Sequence, residues 1–153
     1  MLPELTRTVA VDWINSAPLR LADLRGNAAL LHVWTFACWN CYRSFPWLNA
    51  MAARLGARVK LVGIHTPELE SERDRRALRA KVKEYGLAHA IMIDDDSAYW
   101  RALDNHSWPA WYLADKKGRI RAVYAGETHE GDDQAKRIER ELSALAAEGA
   151  AAG

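Results

Sequence analysis

Cys38 and Cys41 are the residues of this chain best suited to covalent chemistry. They form a C-x-x-C and are the only two cysteines among 153 residues. Cys41 opens an apolar stripe with helical spacing that ends at Gly56, so Cys38 falls in the first turn of that helix, beside backbone N–H groups without partners. The helix dipole and these donors stabilise a thiolate, and we therefore expect a lowered pKa for Cys38.

The second cysteine, Cys41, faces the interior in the same pattern, and we expect its pKa to stay higher. Thiol–disulfide exchange requires this asymmetry, because an accessible thiolate attacks a partner disulfide and a sheltered thiol then resolves the mixed disulfide. Cys38 and Cys41 are thus candidate catalytic residues that act without a bound cofactor.

Three other interpretations of the cysteine pair are open. A structural disulfide at this spacing would close a loop too short to stabilise the fold much. A zinc site would need two more ligands, and the histidines form no H-x-x-x-H and accompany no second C-x-x-C. Two inert core cysteines would both lie on an apolar face, whereas Cys38 lies at a helix start. We therefore expect no metal site. The five histidines are His32, His65, His89, His106 and His129.

The overall composition indicates one compact, soluble domain. Hydrophobic residues make up 50% of the chain and charged residues 27%, and 21 basic against 20 acidic residues leave a net charge of +1. This balance excludes recruitment of nucleic acid by a bulk field, and the longest apolar run, residues 28–39, is too short to span a bilayer. The sequence as given opens without a basic and apolar leader. We expect a monomer in the cytoplasm, or in the periplasm if a leader was removed.

The remaining sequence alternates strand and helix patterns. Residues 28–34 are an apolar run typical of a strand buried on both faces, and a helix that contains Pro46 follows, up to residue 55. The charged stretch 68–83 is predicted to be an exposed helix. This order predicts an α/β sandwich whose sheet is parallel at first and antiparallel at its end. The other predicted elements are strands at 59–64 and 90–93, a helix at 71–85, a short helix capped by residues 94–97, a hairpin of strands 110–114 and 119–125, and a helix at 130–147 followed by a frayed tail.

Several motifs resemble the thioredoxin superfamily, and more narrowly its TlpA/DipZ-type domains. The superfamily features are Phe36-Ala37-Cys38-Trp39-Asn40-Cys41, Pro46 five residues later, and Trp108-Pro109 before a strand. The resemblance implies a thioredoxin fold, with a central mixed sheet flanked by helices and an N-terminal strand or hairpin extension. It implies a single thioredoxin-like domain over residues 1–153, with a core of about 13–147. The TlpA-type segments are Trp13-Ile14-Asn15, residues 21–26 and 33–36, Gly63-Ile64-His65-Thr66-Pro67-Glu68, and residues 115–120.

The resemblance also implies roles for individual residues. Cys38 matches the attacking cysteine and Cys41 the resolving one. Pro109 matches a cis-proline that lies against the disulfide, where the backbone of the preceding residue, Trp108, pairs with an extended substrate chain. The implied partners are proteins with disulfides or dithiols, together with a dithiol protein that donates or accepts electrons. Trp34 matches an aromatic residue packed beside the active site, with a plain core tryptophan as the alternative.

His32 stands where thioredoxins have a buried carboxylate, six positions before the first cysteine. One hypothesis is that His32 serves as the base for Cys41, directly or through water; the alternative is a neutral core histidine bonded to a backbone carbonyl. Trp39 lies outside the apolar stripe, and we expect it at the rim, where it contacts a partner or merely packs. Trp108 is a candidate for a second apolar wall of the substrate site.

Two other activities stay open. Thr35-Phe36-Ala37-Cys38 is a T-x-x-C, which resembles peroxiredoxin spacing, although Trp34 replaces the proline expected there. A copper-binding chaperone of thioredoxin fold could use both cysteines with His106 or His65, although the gap between the cysteines is shorter than in such proteins. The His65-Thr66-Pro67-Glu68 segment has no evident role beyond ending a strand.

Overall fold

In the computed structural model, which describes residues 1–149, six strands form one mixed sheet in the order β1-β4-β3-β2-β5-β6. The predicted frayed tail falls mostly on residues 150–153, which lie outside the described residues. Strand β2 pairs in parallel with β3 and antiparallel with β5, so it occupies the middle of the sheet. The strands are β1 (Trp13–Ile14), β2 (Ala28–Trp34), β3 (Val59–His65), β4 (Ala90–Ile93), β5 (Ala110–Ala114) and β6 (Ile120–Ala125).

Helices cover both faces of this sheet, which is why all seven residues of β2 are buried. One face packs against α2, α3 and α5, and the other against α1 and α4. Side chains along β2 alternate between the two cores, with Leu30 and Trp34 in the first and Leu31 and Val33 in the second. The helices are α1 (Leu21–Leu24), α2 (Trp39–Leu55), α3 (Arg75–Glu84), α4 (Ala98–Ala102) and α5 (Asp133–Ala147).

Most predicted elements are confirmed, and the predicted thioredoxin fold is confirmed with them. The strands predicted at 28–34, 90–93 and 110–114 have those bounds in the structure. The four positions predicted to face inward on the last helix are all buried. The N-terminal extension supplies a two-residue edge strand, β1, antiparallel to β4, rather than a hairpin. Those four inward positions are Ala135, Ile138, Leu142 and Leu145.

The charged segment before α3 differs from the prediction of an exposed helix over residues 68–83. Helix α3 starts only at Arg75, because the Asp74 carboxylate accepts a hydrogen bond from the Ala77 N–H and caps the helix there. Residues Glu70–Arg73 form a separate 3-10 turn. Within that turn the Glu72 side chain is buried, with only 2% of its surface exposed. The prediction was wrong at this residue, because a run of charges does not reveal which one turns inward.

Candidate active site

Cys38 and Cys41 form a disulfide at the start of α2, with their Cα atoms 5.2 Å apart. Cys38 is the N-cap of the helix, and its Sγ accepts a hydrogen bond from the Cys41 N–H at 3.1 Å. Cys38 is half-buried, whereas Cys41 is completely buried in the core. The expected difference in exposure is therefore present. An N-cap sulfur next to free N–H groups is a position that favours a thiolate.

Three hydrogen bonds hold the loop between β2 and α2 just before Cys38. The Phe36 N–H donates to His65 Nε2 at 3.2 Å, and the Tyr85 hydroxyl donates to the Phe36 carbonyl at 3.1 Å. The Cys38 N–H itself donates to the Thr35 carbonyl at 3.2 Å. Because β2 ends at Trp34, these backbone groups lie beyond the sheet, and the contacts replace the hydrogen bonds that the sheet would supply.

Aromatic side chains surround the accessible cysteine. Trp39 is 64% exposed and Tyr42 is 44% exposed, and their rings lie 5.5 Å apart. Tyr85 continues the series, 5.1 Å from Tyr42. These rings border a groove of about 300 Å³ beside Cys38. The Arg43 guanidinium lies 5.8 Å from the centre of the Trp39 ring. Trp39 is thus at the rim, as expected from the sequence.

The second predicted wall of the site is the Trp108–Pro109 pair, whose peptide bond is cis. The Trp108 indole N–H donates to the Thr66 carbonyl at 2.7 Å, and the ring lies 4.1 Å from that of Trp100. Trp108 and Cys38 both pack at the edge of the core that contains α2. Trp108 is therefore held in one orientation by a hydrogen bond and by a neighbouring ring.

His32 is completely buried on β2, and its Nε2 lies 2.7 Å from Nε2 of His89. Burial, with repulsion from His89 as a smaller cause, lowers the pKa of His32 well below its ordinary value. Burial also lowers the pKa of His89 to about 4. Both rings are therefore neutral near neutral pH, and a single proton lies between the two Nε2 atoms. The partner of His32 is a second imidazole and not the backbone carbonyl expected in one interpretation.

Gly63 on the neighbouring strand makes room for this pair. A Cβ at that position would lie 3.0 Å from His32 Nε2 and 3.2 Å from His89 Nε2. Nothing in the sequence pairs His89 with β2, because the two residues are 57 positions apart and His89 lies in a connecting segment. Sequence reasoning therefore missed His89.

Sequence reasoning also missed a cluster behind the cysteine loop that consists of Thr35, His65 and Glu72. The Thr35 hydroxyl donates to the Glu72 carboxylate and lies 3.4 Å from His65 Nε2. Burial lowers the pKa of His65 to about 3, so the ring is neutral and can accept from the Phe36 N–H. One signal was available: His65 directly follows the strand predicted at 59–64, just as Thr35 directly follows the strand predicted at 28–34.

The contacts of Thr35 and the histidines bear on the alternative activities. The side chain of Thr35, the threonine of the T-x-x-C, is buried, and its hydroxyl donates to Glu72. His106 is exposed and pairs with Asp104. His65 Nε2 is occupied by the Phe36 N–H. Within residues 1–149, no group of three or more His, Cys, Asp or Glu side chains is placed to hold a metal ion.

Residues 3–123 match the model of the AhpC/TSA family. The chain belongs to the AhpC/TSA family. The chain is 34% identical, over 80% of its length, to Protein SUPPRESSOR OF QUENCHING 1 of Arabidopsis thaliana, and 31% identical, over 75%, to Protein DipZ of Mycobacterium tuberculosis. It spans only 12% and 17% of those two proteins.

One relative of similar length matches by sequence, and two solved structures of similar length share the fold. Thiol-disulfide oxidoreductase YkuV of Bacillus subtilis is 29% identical over 82% of this chain and 83% of its own. Thioredoxin-like superfamily protein SPOA0173 superposes with a TM-score of 0.83 at 26% identity, covering 97% of both chains. A thioredoxin-like protein solved in its oxidised form superposes with a TM-score of 0.80 at 28% identity, covering 96% of this chain and 95% of that one. The predicted TlpA/DipZ-type likeness is confirmed.

Proposed function

We propose that this AhpC/TSA-family domain exchanges its Cys38–Cys41 disulfide with the disulfides or dithiols of partner proteins, with Cys38 as the attacking cysteine and Cys41 as the resolving one. The observation that carries this proposal is the half-buried Cys38 at the N-terminus of α2, whose sulfur is bonded to that of a completely buried Cys41. A partner sulfur can reach the first cysteine and is kept from the second.

In the reducing direction the exchange has two steps. The Cys38 thiolate attacks one sulfur of the partner disulfide; the partner S–S bond breaks, a mixed disulfide forms, and the released partner thiolate takes a proton. Cys41 then loses its proton and attacks Cys38 Sγ, which breaks the mixed disulfide, restores the Cys38–Cys41 disulfide and releases the second partner thiolate. Two electrons pass to the partner. A dithiol protein supplies them by the reverse sequence.

Three residues around the disulfide form the proposed substrate site. Trp39 offers an exposed ring on one side of Cys38. On the other side Trp108, held by the Thr66 carbonyl, would leave its backbone free to pair with an extended substrate chain next to Pro109. No cofactor takes part, because both electrons reside in the cysteine pair.

His32 is proposed as the group that receives the Cys41 proton, directly or through water, in the resolving step. The ring is neutral near neutral pH, and Nδ1 has no hydrogen-bond partner among the described residues. A proton accepted there can be shared with His89 through the contact between their Nε2 atoms. Replacing His32 with Ala should change the pH dependence of the resolving step; an unchanged dependence would exclude this role.

We extend the proposal to the whole chain as one thioredoxin-like domain, residues 1–153, acting as a monomer. In the described residues, no helix is long and apolar enough to cross a membrane. The proposed partners are protein disulfides and dithiols, in the cytoplasm or, as the alternative, in the periplasm.

Exchange kinetics with a disulfide-bonded protein test the main assignment. Cys38→Ser should abolish exchange, whereas Cys41→Ser should trap a mixed disulfide that is visible on a non-reducing gel. Equilibration with glutathione then gives the reduction potential and the preferred direction. Peroxide consumption that disappears in Cys38→Ser, without any exchange activity in the unmodified domain, would instead support a thiol peroxidase.

A further inference from the structure

Two motifs singled out in the sequence have no part in the exchange mechanism as described. They are the threonine of the T-x-x-C, Thr35, and the histidine that opens the His65-Thr66-Pro67-Glu68 segment. The structure brings both together. Their side chains lie 3.4 Å apart, and Glu72, a residue that sequence reasoning placed on an exposed helix, completes the group.

Glu72 binds two parts of the chain at once. One carboxylate oxygen accepts from the Thr35 hydroxyl, and the other accepts from the Leu69 N–H at 2.8 Å. The side chain is buried, and within residues 1–149 no cationic side chain forms a salt bridge with it. Burying a carboxylate is costly unless hydrogen bonds compensate, so these two bonds hold Glu72 in place and fix Thr35 against the segment after β3.

The cluster acts on the backbone that leads to Cys38. Thr35 accepts the Cys38 N–H through its carbonyl, and His65 accepts the Phe36 N–H. Phe36 is thus tied to the end of β3 through its N–H, and Thr35 is tied to the 3-10 turn through its hydroxyl. A loop fixed in this way keeps Cys38 at the N-cap of α2, where its sulfur accepts the Cys41 N–H.

We propose that Thr35, His65 and Glu72 are positioning residues for Cys38, which they hold at the N-terminus of α2 so that its thiolate is stabilised after the disulfide opens. The inference rests on the proposed function of Cys38 as the attacking cysteine. It gives the two unexplained motifs one common task, in which none of the three residues touches the substrate.

The test compares matched variants in the reduced domain, with Cys41 replaced by Ala so that only Cys38 reacts with iodoacetamide. Thr35→Val removes the hydroxyl at nearly constant shape, and Thr35→Ser restores it. Glu72→Gln removes the charge, and Glu70→Gln is its control in the same 3-10 turn, because the Glu70 side chain is 85% exposed. The alkylation rate is measured across the pH range for each protein.

Losing one such hydrogen bond is expected to slow alkylation by roughly three- to tenfold below the midpoint of the pH profile, and to move that midpoint upward by about half a unit to one unit. Thr35→Val and Glu72→Gln should show this change, whereas Thr35→Ser and Glu70→Gln should stay within about twofold of the unmodified protein. With Cys41 restored in the same variants, the reduction potential of the Cys38–Cys41 pair against glutathione should shift in parallel.

Loss of thermal stability in Thr35→Val with an unchanged pH profile would overturn the proposal and leave the cluster with a purely structural role. Should Glu72→Gln fail to fold, the Thr35→Val and Thr35→Ser pair decides alone. Failure of the proposed function looks different: Cys38 would then show no enhanced reactivity in the unmodified domain, and Cys38→Ser would retain exchange.

Discussion

Acidification is expected to destabilise the fold through three buried histidines, His32, His65 and His89. Burial lowers the pKa of His65 to about 3 and that of His89 to about 4, and it lowers the pKa of His32 well below the ordinary value. In the unfolded chain each ring takes up a proton below about pH 6.5. The unfolded state therefore binds more protons in this range. The contribution of the neutral histidines to the free energy of unfolding is fully present above that pH and is lost as the pH falls toward 4.

The magnitude follows from the difference in bound protons. Each neutral histidine that is protonated only on unfolding gives the free energy of unfolding a slope of about 1.4 kcal/mol per pH unit. With a folded pKa of about 4, His89 alone removes about 2–3 kcal/mol by about pH 4.5. His65, with a folded pKa of about 3, contributes in the same direction, and so does His32, whose pKa burial also lowers.

His89→Gln isolates one of the three contributions. The glutamine amide can keep a hydrogen bond to His32 Nε2, but it does not titrate. The slope of the free energy of unfolding against pH should therefore fall by the contribution of one proton, ~1.4 kcal/mol per pH unit. Urea denaturation of the oxidised protein at several values between about pH 4.5 and about pH 6 measures the slope. His106→Gln is the control, because the His106 side chain is 82% exposed. An unchanged slope in His89→Gln would refute this reasoning.

Three further changes test the packing and the rim of the site. Gly63→Ala places a Cβ 3.0 Å from His32 Nε2 and should lower the free energy of unfolding by about 1–3 kcal/mol. An unchanged free energy of unfolding would mean that the two imidazole rings can move to make room. Asp94→Ala removes the acceptor for two N–H groups of α4 and the Thr66 hydroxyl and should cost about 2–4 kcal/mol in urea denaturation, against less than about 1 kcal/mol for the exposed Asp96→Ala. Trp39→Ala should slow exchange with a protein disulfide several-fold yet leave exchange with glutathione and stability unchanged; equal slowing of both reactions would contradict a partner contact.

The fold was predictable because its signals are local and agree with one another. The apolar run at residues 28–34 marks a strand covered on both faces, and the structure buries all seven of its side chains. Gly118 marks the turn between β5 and β6, where its φ of 80° favours glycine. The N-terminal strand β1 is two residues long and pairs with β4 across the sheet edge. So short a pairing has no periodicity of its own, and only the resemblance indicated it.

The cysteine pair was predictable for the same reason, since the helix stripe and the strand before it place Cys38 at a helix N-cap. The groups that surround it were not. Glu72 lies in a run of charged residues, and its burial depends on the hydroxyl of Thr35, 37 positions earlier. His89 depends in the same way on His32 and on the space above Gly63. Contacts of this kind arise from tertiary packing, which the periodicity of a single segment does not reveal.

The end of β3 explains how the two sides of the site can be aligned. His65 binds the Phe36 N–H in the loop that leads to Cys38, and the next residue, Thr66, binds the Trp108 indole through its carbonyl. The Thr66 hydroxyl in turn donates to the buried Asp94 carboxylate at 2.7 Å, which fixes the segment to the start of α4. Two consecutive residues thus anchor the attacking sulfur and the proposed substrate wall. Because only one peptide unit separates these anchors, little backbone freedom remains between them. Under the proposed function, a substrate chain docked beside Pro109 would therefore meet the Cys38 sulfur in a defined geometry.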